Sequence, residues 1–445
     1  MSILNVLEKS KKFNLHSWSA QKNLQPMTVT DAEGIYFYDD KRKKYYDMSS
    51  QLVNSNLGHK NKNLIKAIQD QAEKLAFIGP GYSVDVRSDA AEALVNLAGK
   101  SFEGGKVFFT NAGAEANENA MKFAKEYGGP ARWKFFSMYK AYHGATFATS
   151  GLTGEERRFV AEPNINGFIH FDGPYPYRAP KQVKFNSEND ITNYYLNHLE
   201  DRIKKEGGHT IAAIFIETVV GSNGVLVPPK GYLKGVRELC TKYGILMVCD
   251  EVMAGFYRTG TAFAFQNPAI AGIGLAPDII TFAKGSTCGY VALGGVILSK
   301  KIASFFDENK MWNGLTYSAH PIGCAATIAA LKEYKRLNIP ANVRKTGTLL
   351  GKKLKALAKK HKSVGDVRYI GLFSQVELVK DKKSKEPFDL AKMPKVLGIL
   401  KDAGFATYTN ENGVMIAPPL IITEKELTEA LAIFDKALNK IDKLV

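Results

Sequence analysis

The sequence predicts an α/β protein built on a mainly parallel central sheet, and three observations carry that prediction. Short apolar runs alternate with amphipathic stretches through the middle of the chain, which is the pattern of βαβ units. Three of those runs end in a charged side chain, spaced by about 33 residues, the length of one such unit. The chain has 445 residues, 45% hydrophobic and 23% charged, enough for a large core with a smaller satellite.

Taken in chain order, residues 28–48 alternate polar and apolar about Asp39–Asp40, which predicts a hairpin. Strands are expected at Val107–Phe109, Lys134–Met138, Ile211–Glu217, Ile245–Asp250, Ile279–Ala283 and Val291–Leu298. Between the third and fourth, Leu233, Val236, Leu239, Cys240 and Tyr243 share one helical face over Gly231–Tyr243, and Gly244 stops the helix. From about residue 325 lysine-rich helices dominate, interrupted by an apolar run at Val376–Val379, the loop DKKSKEP and a strand pair near 405–417. The expected organisation is a large domain over residues 56–324 and a smaller α+β domain assembled from residues 1–55 and 325–445.

Composition narrows the function. Sixty Lys+Arg against 44 Asp+Glu leave a formal charge of +16. The lysines are scattered along helices without interleaved aromatics, which argues against nucleic acid and leaves a solvated basic surface or attraction of an acidic small molecule. Cys240, Cys249, Cys288 and Cys324 form no CxxC and no Cys/His cluster, so neither a disulfide scaffold nor a metal site is expected. Glu8 and the early lysines interrupt any signal-peptide core, and no apolar run reaches the ~18 residues of a membrane span. A cytoplasmic protein is expected.

The chemistry lies where strands end. Ile211–Ile216 runs into Glu217, Ile245–Cys249 into Asp250 and Glu251, and Ile279–Ala283 into Lys284. Ligands of open parallel sheets bind at the carboxyl ends of strands, so the three converge on one crevice. Each alone also fits a solvated loop residue or a helix cap. Together, a lysine beside an aspartate is what pyridoxal phosphate chemistry needs: Lys284 for the Schiff base, and Asp250 to keep the pyridine nitrogen protonated. A phosphate seat is available where Val107–Phe109 leads through Thr110-Asn111-Ala112-Gly113-Ala114 into a helix, whose free N–H groups attract anions. Tyr142, in Tyr142-His143-Gly144, has a ring suited to stacking on a planar cofactor, and Val252 could wall the opposite face. Thr316 sits on a hydroxyl-rich loop, either as a phosphate contact or as a turn residue.

In their order, NAGAEANENAMKFAK (111–125), YHG (142–144), the strand ending at Glu217, DEV (250–252), RTG (258–260), PDIITFAKG (277–285), LTYSAHP (315–321) and APPL (417–420) resemble the class III, or ω-amino acid, aminotransferases. These belong to the fold-type I pyridoxal 5′-phosphate enzymes, related to aspartate aminotransferase. The resemblance implies a homodimer, possibly a tetramer, with active sites at the subunit interface. It implies that Lys284 carries the cofactor, Asp250 pairs with the ring nitrogen, and Tyr142 and Val252 sandwich the ring. His143 and Glu217 join the cofactor site. Gly113 and Ala114 hold the phosphate, with Thr316 reaching across from the second subunit. An amine donor then gives its amino group to an oxo acid, with the lysine as anchor and general acid–base. An aminomutase, racemase or decarboxylase on the same cofactor is the competing reading.

The sequence also departs from that family. Many members carry a mobile arginine some dozen residues before the PPL motif, where this chain has Tyr408, and Asn410 occupies a second position often held by arginine. Arg158, Arg178 and Arg87 are then the candidate cations for a substrate acid. Thr218 follows the glutamate in place of a frequent proline, Tyr257 precedes RTG, and Ala319 replaces a common glycine. By position Trp18, Val53, Tyr82, Tyr142, Ser222 and Tyr408 line the substrate pocket, and Val53 stands where amine-directed relatives have tryptophan. The overall pattern is similar to the taurine–pyruvate, β-alanine–pyruvate and 3-aminobutyryl-CoA aminotransferases.

Overall fold

The computed structural model describes residues 3–163, 166–272 and 274–445. In chain order the strands are β1 (Val29–Glu33), β2 (Tyr36–Asp39), β3 (Lys44–Asp47), β4 (Lys106–Thr110), β5 (Lys134–Met138), β6 (Phe168–Phe171), β7 (Ile211–Glu217) and β8 (Leu246–Asp250). They continue with β9 (Ile279–Phe282), β10 (Gly294–Leu298), β11 (Val364–Ile370), β12 (Phe373–Asp381), β13 (Glu386–Pro387), β14 (Phe405–Ala406), β15 (Thr409–Asn410) and β16 (Gly413–Ile416).

The central sheet runs β4-β10-β9-β8-β7-β5-β6. Strands β5 to β9 are parallel, and β10 runs antiparallel to both of its neighbours, β9 and β4. Every residue of β7, β8 and β9 is buried. Their sequences, IAAIFIE, LMVCD and IITF, lack polar alternation because helices cover both faces of a parallel sheet. Charge is tolerated only where such a strand leaves the core, so the acids fall at carboxyl ends. The helix Tyr232–Tyr243 ends as expected at Gly244, whose φ of +65° lets its N–H close on the carbonyls of Cys240 and Thr241.

Both ends of the chain meet in a second sheet, β1-β2-β3-β14, where β14 lies parallel to β3 with Phe405 opposite Tyr46. The expected hairpin is part of a three-stranded meander: β2 and β3 turn after Asp39, whose carboxylate accepts from the N–H groups of Lys41 and Lys43, and β1 pairs with β2. A third sheet holds β11-β12-β16-β15, with β13 beside β12. The last strand of the central sheet begins at Gly294 rather than Val291, because residues 287–292 form a turn closed by hydrogen bonds such as Tyr290 N–H to the Thr287 carbonyl.

Arg258 ties these layers together. Fully buried, it donates to the carbonyls of Leu372 (2.9 Å) and Pro418 (2.6 Å), to Ser50 Oγ (3.2 Å) and to Asn56 Oδ1 (2.6 Å). Burial lowers its pKa to about 10. The segment it grips is backbone-strained: Ser50, Gln51, Leu52 and Val53 have φ of 48°, 48°, 65° and 60°. Left-handed turns cost non-glycine residues energy, so four in a row need such an anchor. Among the described residues no helix is long and apolar enough to cross a membrane.

Candidate active site

The parallel register of β7, β8 and β9 brings the three strand endings side by side. Glu217 lies opposite Asp250, and Asp250 opposite Thr281, three residues before Lys284. Lys284 opens a short turn, Lys284–Ser286, with φ of +46°. Burial lowers the pKa of its amine, and the nearby Glu217 and Asp250 charges partly restore it.

Asp250 is 4% exposed, and both carboxylate oxygens are held. Its Oδ2 is 2.8 Å from His143 Nδ1 and accepts from Asn117 Nδ2 at 2.8 Å, while Oδ1 accepts the Val252 N–H at 3.0 Å. Asn117 is itself fixed, donating to the His143 carbonyl (2.7 Å) and accepting from Thr281 Oγ1 (2.8 Å). Asn117 was not anticipated. A signal was present: it lies four residues beyond Gly113, on the same helical face.

Glu217 is 5% exposed and accepts the Tyr142 and Gly221 N–H groups, each at 2.8 Å. Burial raises its pKa to about 7, against the pull of His143. The carboxylate thereby pins the backbone of the Tyr142 loop to that of the Gly221 loop. Its neighbour Glu251 points elsewhere and serves the fold: it accepts from Thr218 Oγ1 (2.7 Å) and from the N–H groups of Ala264 and Phe265 (2.8 Å each).

The helix Gly113–Gly128 starts beside this cluster. A Cβ on Gly113 would sit 2.9 Å from Val252 Cγ1, so Val252 closes directly over the first turn. Gly144, with φ of +142°, packs against the same turn; a Cβ there would sit 2.7 Å from Ala114 Cβ and 2.6 Å from Thr149 Oγ1. The N–H and side-chain amide of Asn111 both donate to Glu115 Oε2. The result is a concave backbone seat with free N–H groups, suited to phosphate.

Residues 18–438 match the class III aminotransferase family. The chain is a class III aminotransferase. It is 42% identical to the taurine:2-oxoglutarate aminotransferase of Bifidobacterium kashiwanohense, whose structure holds PLP and glutamate, with a TM-score of 0.94 over 100% of this chain and 99% of that one. An (S)-enantioselective ω-transaminase from Thermomicrobium roseum is 33% identical, with a TM-score of 0.92 and 99% of each chain covered. The vanillin aminotransferase of Capsicum chinense is 33% identical over 445 residues, 96% of this chain and 94% of that protein.

Class III aminotransferases depend on pyridoxal 5′-phosphate, and this aminotransferase has residues that fit it. A buried, doubly held carboxylate needs a cationic partner, a desolvated lysine stands beside it, and the helix start offers an anion seat from which Gly113 and Gly144 keep Cβ atoms away. The remaining anticipated residues are distributed as follows. Ser222 and Tyr408 lie half-buried near Tyr142 through a shared neighbour, Arg157. Thr316 is exposed on its loop, as are Trp18 and Tyr82, both 66% exposed. Val53 is 2% exposed and packs in the core, leaving Gln51 and Leu52 as the exposed side chains of the strained turn.

The three candidate cations are engaged elsewhere, which corrects that expectation. Arg87 donates to the carbonyls of Ile78, Gly79, Tyr82 and Ala319. Arg178 is paired with Glu377, and Arg158 with Glu162. An arginine that the sequence did not single out, Arg157, lies against the Tyr142 ring. Its guanidinium carbon lies 3.9 Å from the centroid of the Tyr142 ring, Nη2 donates to Ser222 Oγ (3.1 Å), and Nε donates to Glu155 Oε1 (2.5 Å). Arg157 and Arg158 are adjacent in the short 3-10 helix Glu156–Ala161, too short for a periodic pattern, so spacing alone did not separate them.

Proposed function

We propose that this aminotransferase moves an amino group from an ω- or β-amino donor bearing an acidic group to an oxo acid such as 2-oxoglutarate or pyruvate, with Lys284 as the anchor of the cofactor. The observation that carries the chemistry is the desolvated amine of Lys284 beside the held carboxylate of Asp250. The substrate class is supported by the end-to-end likeness to the taurine:2-oxoglutarate enzyme.

When bound, pyridoxal phosphate supplies the electron sink that lets a proton leave the carbon bearing the donor's nitrogen. Lys284 is the base and acid for that proton at Nζ. Its lowered pKa raises the neutral fraction able to accept it near neutral pH. Asp250 would pair with the cofactor's ring nitrogen and favour its protonated form, while His143 and Asn117 keep the carboxylate from turning away. Glu217 positions the Tyr142 ring by holding its backbone N–H, and Val252 closes the other side. Gly113 and Ala114 take the phosphate on their N–H groups.

A homodimer is part of this reading, as a dimer or the pair within a tetramer. Trp18, Phe77, Tyr82, Trp312 and Tyr317 are all exposed in the single chain, and Phe77 packs edge-on against Tyr317, the residue after Thr316. Such an aromatic surface suits a partner of the same kind. The four cysteines are free and buried, which suits a cytoplasmic setting.

The test is a donor-by-acceptor panel: taurine, β-alanine, 3-aminobutyryl-CoA and 1-phenylethylamine against pyruvate and 2-oxoglutarate. Turnover of taurine or β-alanine is expected, with conversion of the cofactor absorbance by donor alone. Turnover confined to 1-phenylethylamine or to the CoA ester would overturn the substrate assignment.

A further inference from the structure

Arg87 stands in the first turn of the helix Asp85–Ala98, almost wholly buried, and makes all its hydrogen bonds to backbone carbonyls. Nε donates to Ala319 (2.7 Å), Nη1 to Gly79 and Tyr82 (2.9 Å each) and Nη2 to Ile78 (2.6 Å). The rigid fork of a guanidinium is suited to this, because its donors point in several fixed directions at once. One side chain thus grips two loops that are more than 230 residues apart in the sequence. Ring contacts bind the same loops, with Phe77 at 5.8 Å from Tyr317 and 5.5 Å from His320. Ala319 has φ of +52°, a left-handed conformation that costs a residue with a Cβ energy, and the bond from Arg87 Nε holds it there.

The Thr316 loop is fastened at both feet. On one side Asn313 Nδ2 donates to Asn119 Oδ1 (2.9 Å) in the phosphate-seat helix; on the other Ser318 Oγ donates to the Phe109 carbonyl (2.8 Å), one residue beyond which Arg87 takes Ala319. Residues 314–317 project between these anchors, and Thr316 is exposed at their crest. Tyr82, on the second loop that Arg87 holds, is 66% exposed. Among the described residues neither side chain hydrogen-bonds to Lys284, Asp250 or Tyr142 of its own chain. Both loops point their functional side chains outward while their backbones are held from within.

We propose that Arg87 is a positioning residue for the active site of the other subunit: it sets the 78–82 loop and the Thr316 loop as one unit that completes the partner's site and not its own. This rests on the homodimer reading, in which Thr316 crosses the interface. The addition is that the loop of Tyr82 must cross with it, since a single guanidinium ties the two backbones together. Loss of Arg87 would leave four buried or half-buried carbonyls without their donor and free the two loops from each other.

The experiment uses mixed dimers purified through two different tags. Arg87→Gln alone is expected to lower kcat/KM at least about 10-fold, because misplaced loops spoil the geometry of the site. In the first mixed dimer one subunit carries Arg87→Gln and the other Lys284→Ala; one site then combines an intact Lys284 with intact loops from the neighbour, and about half the wild-type rate is expected. In the second, one subunit carries both changes beside a wild-type partner, and the rate should drop to that of Arg87→Gln or below. The two dimers contain the same substitutions, so a purely structural role would give them equal rates and overturn the proposal. The reverse order of rates would also overturn it, by showing that Arg87 serves its own chain. Arg87→Lys, which keeps the charge, takes the place of Arg87→Gln if the latter does not fold. Thr316→Asp, which sets a carboxylate against the cofactor phosphate, is run through the same two pairings. If it shows the crossed pattern and Arg87 does not, only the role of Arg87 fails; if it does not, or if the chain sediments as a monomer, the shared-site reading fails and the role of Arg87 with it.

Discussion

Replacing Asn117 with alanine probes the support of Asp250 without touching the carboxylate itself. The side chain is 1% exposed and makes three hydrogen bonds: to Asp250 Oδ2, to the His143 carbonyl and from Thr281 Oγ1. A hydrogen bond to a charged group contributes about 1.5–3 kcal/mol and a neutral one about 0.5–1.5 kcal/mol. Part of this returns as water fills the space, so a net destabilisation of about 3 kcal/mol is expected. With an unfolding entropy of about 2.1 cal/mol/K per residue, that lowers Tm by about 3 °C in a chain of this length. Activity should fall further than stability. Asp250 loses one of the two groups fixing Oδ2, and a single charge-assisted bond corresponds to about 10- to 100-fold in kcat. Thr281→Val serves as the comparison, since it removes only the bond that Asn117 accepts, and should cost less than about 3-fold. The assays are steady-state kinetics, cofactor affinity by absorbance titration, and thermal melting. Asn117→Ala rates within about 2-fold of wild type, or equal losses in both variants, would refute the view that Asn117 orients the carboxylate.

Lys284→Ala is expected to abolish turnover and leave no borohydride-stable adduct at residue 284 on peptide mapping, while the phosphate seat still holds cofactor reversibly. Gly144→Ala would push a Cβ to within 2.7 Å of Ala114 Cβ, and should weaken cofactor binding at least about 10-fold in an absorbance titration, since the seat must deform. Glu333 accepts from Arg336 at 2.6 and 2.8 Å and from Asn61 and Asn63 at 2.9 and 2.7 Å, and these partners, Arg336 foremost, pull its pKa down to about 2. Its carboxylate therefore stabilises the fold above the ordinary carboxylate range and loses that contribution as pH falls from about 4.5 towards 2. Glu333→Gln should lower Tm at pH 7 by an amount equivalent to about 2 kcal/mol, after allowance for the exposed Arg336, with the gap to wild type narrowing over that acid window.

Legibility of the site in the sequence followed from how burial constrains residue type. An all-apolar strand that ends in a single acid or amine has few alternative explanations, and Glu217, Asp250 and Lys284 stood out for that reason. Asn117 and Arg157 are ordinary polar residues in an α-helix and a short 3-10 helix, and only three-dimensional closure shows that one touches Asp250 and the other Tyr142. β6 escaped because FIHF is a sheet-edge strand, mostly half-buried and interrupted by His170, and so lacks the all-apolar run that marks the equally short β9. The meander at the amino end was legible only in part, because turn residues at Asp39–Asp40 are conspicuous whereas the turn between β1 and β2 is built on the single Gly34.

The parallel pairing of β14 with β3 has a consequence for biosynthesis. Tyr46 waits for Phe405, about 360 residues later, to complete its side of the sheet. At roughly 5–20 residues per second on the ribosome, the emerging amino-terminal meander stands with an open edge for about 20–70 seconds. Chaperone capture during translation, and sensitivity of yield to late truncation, are therefore written into the connectivity of the chain.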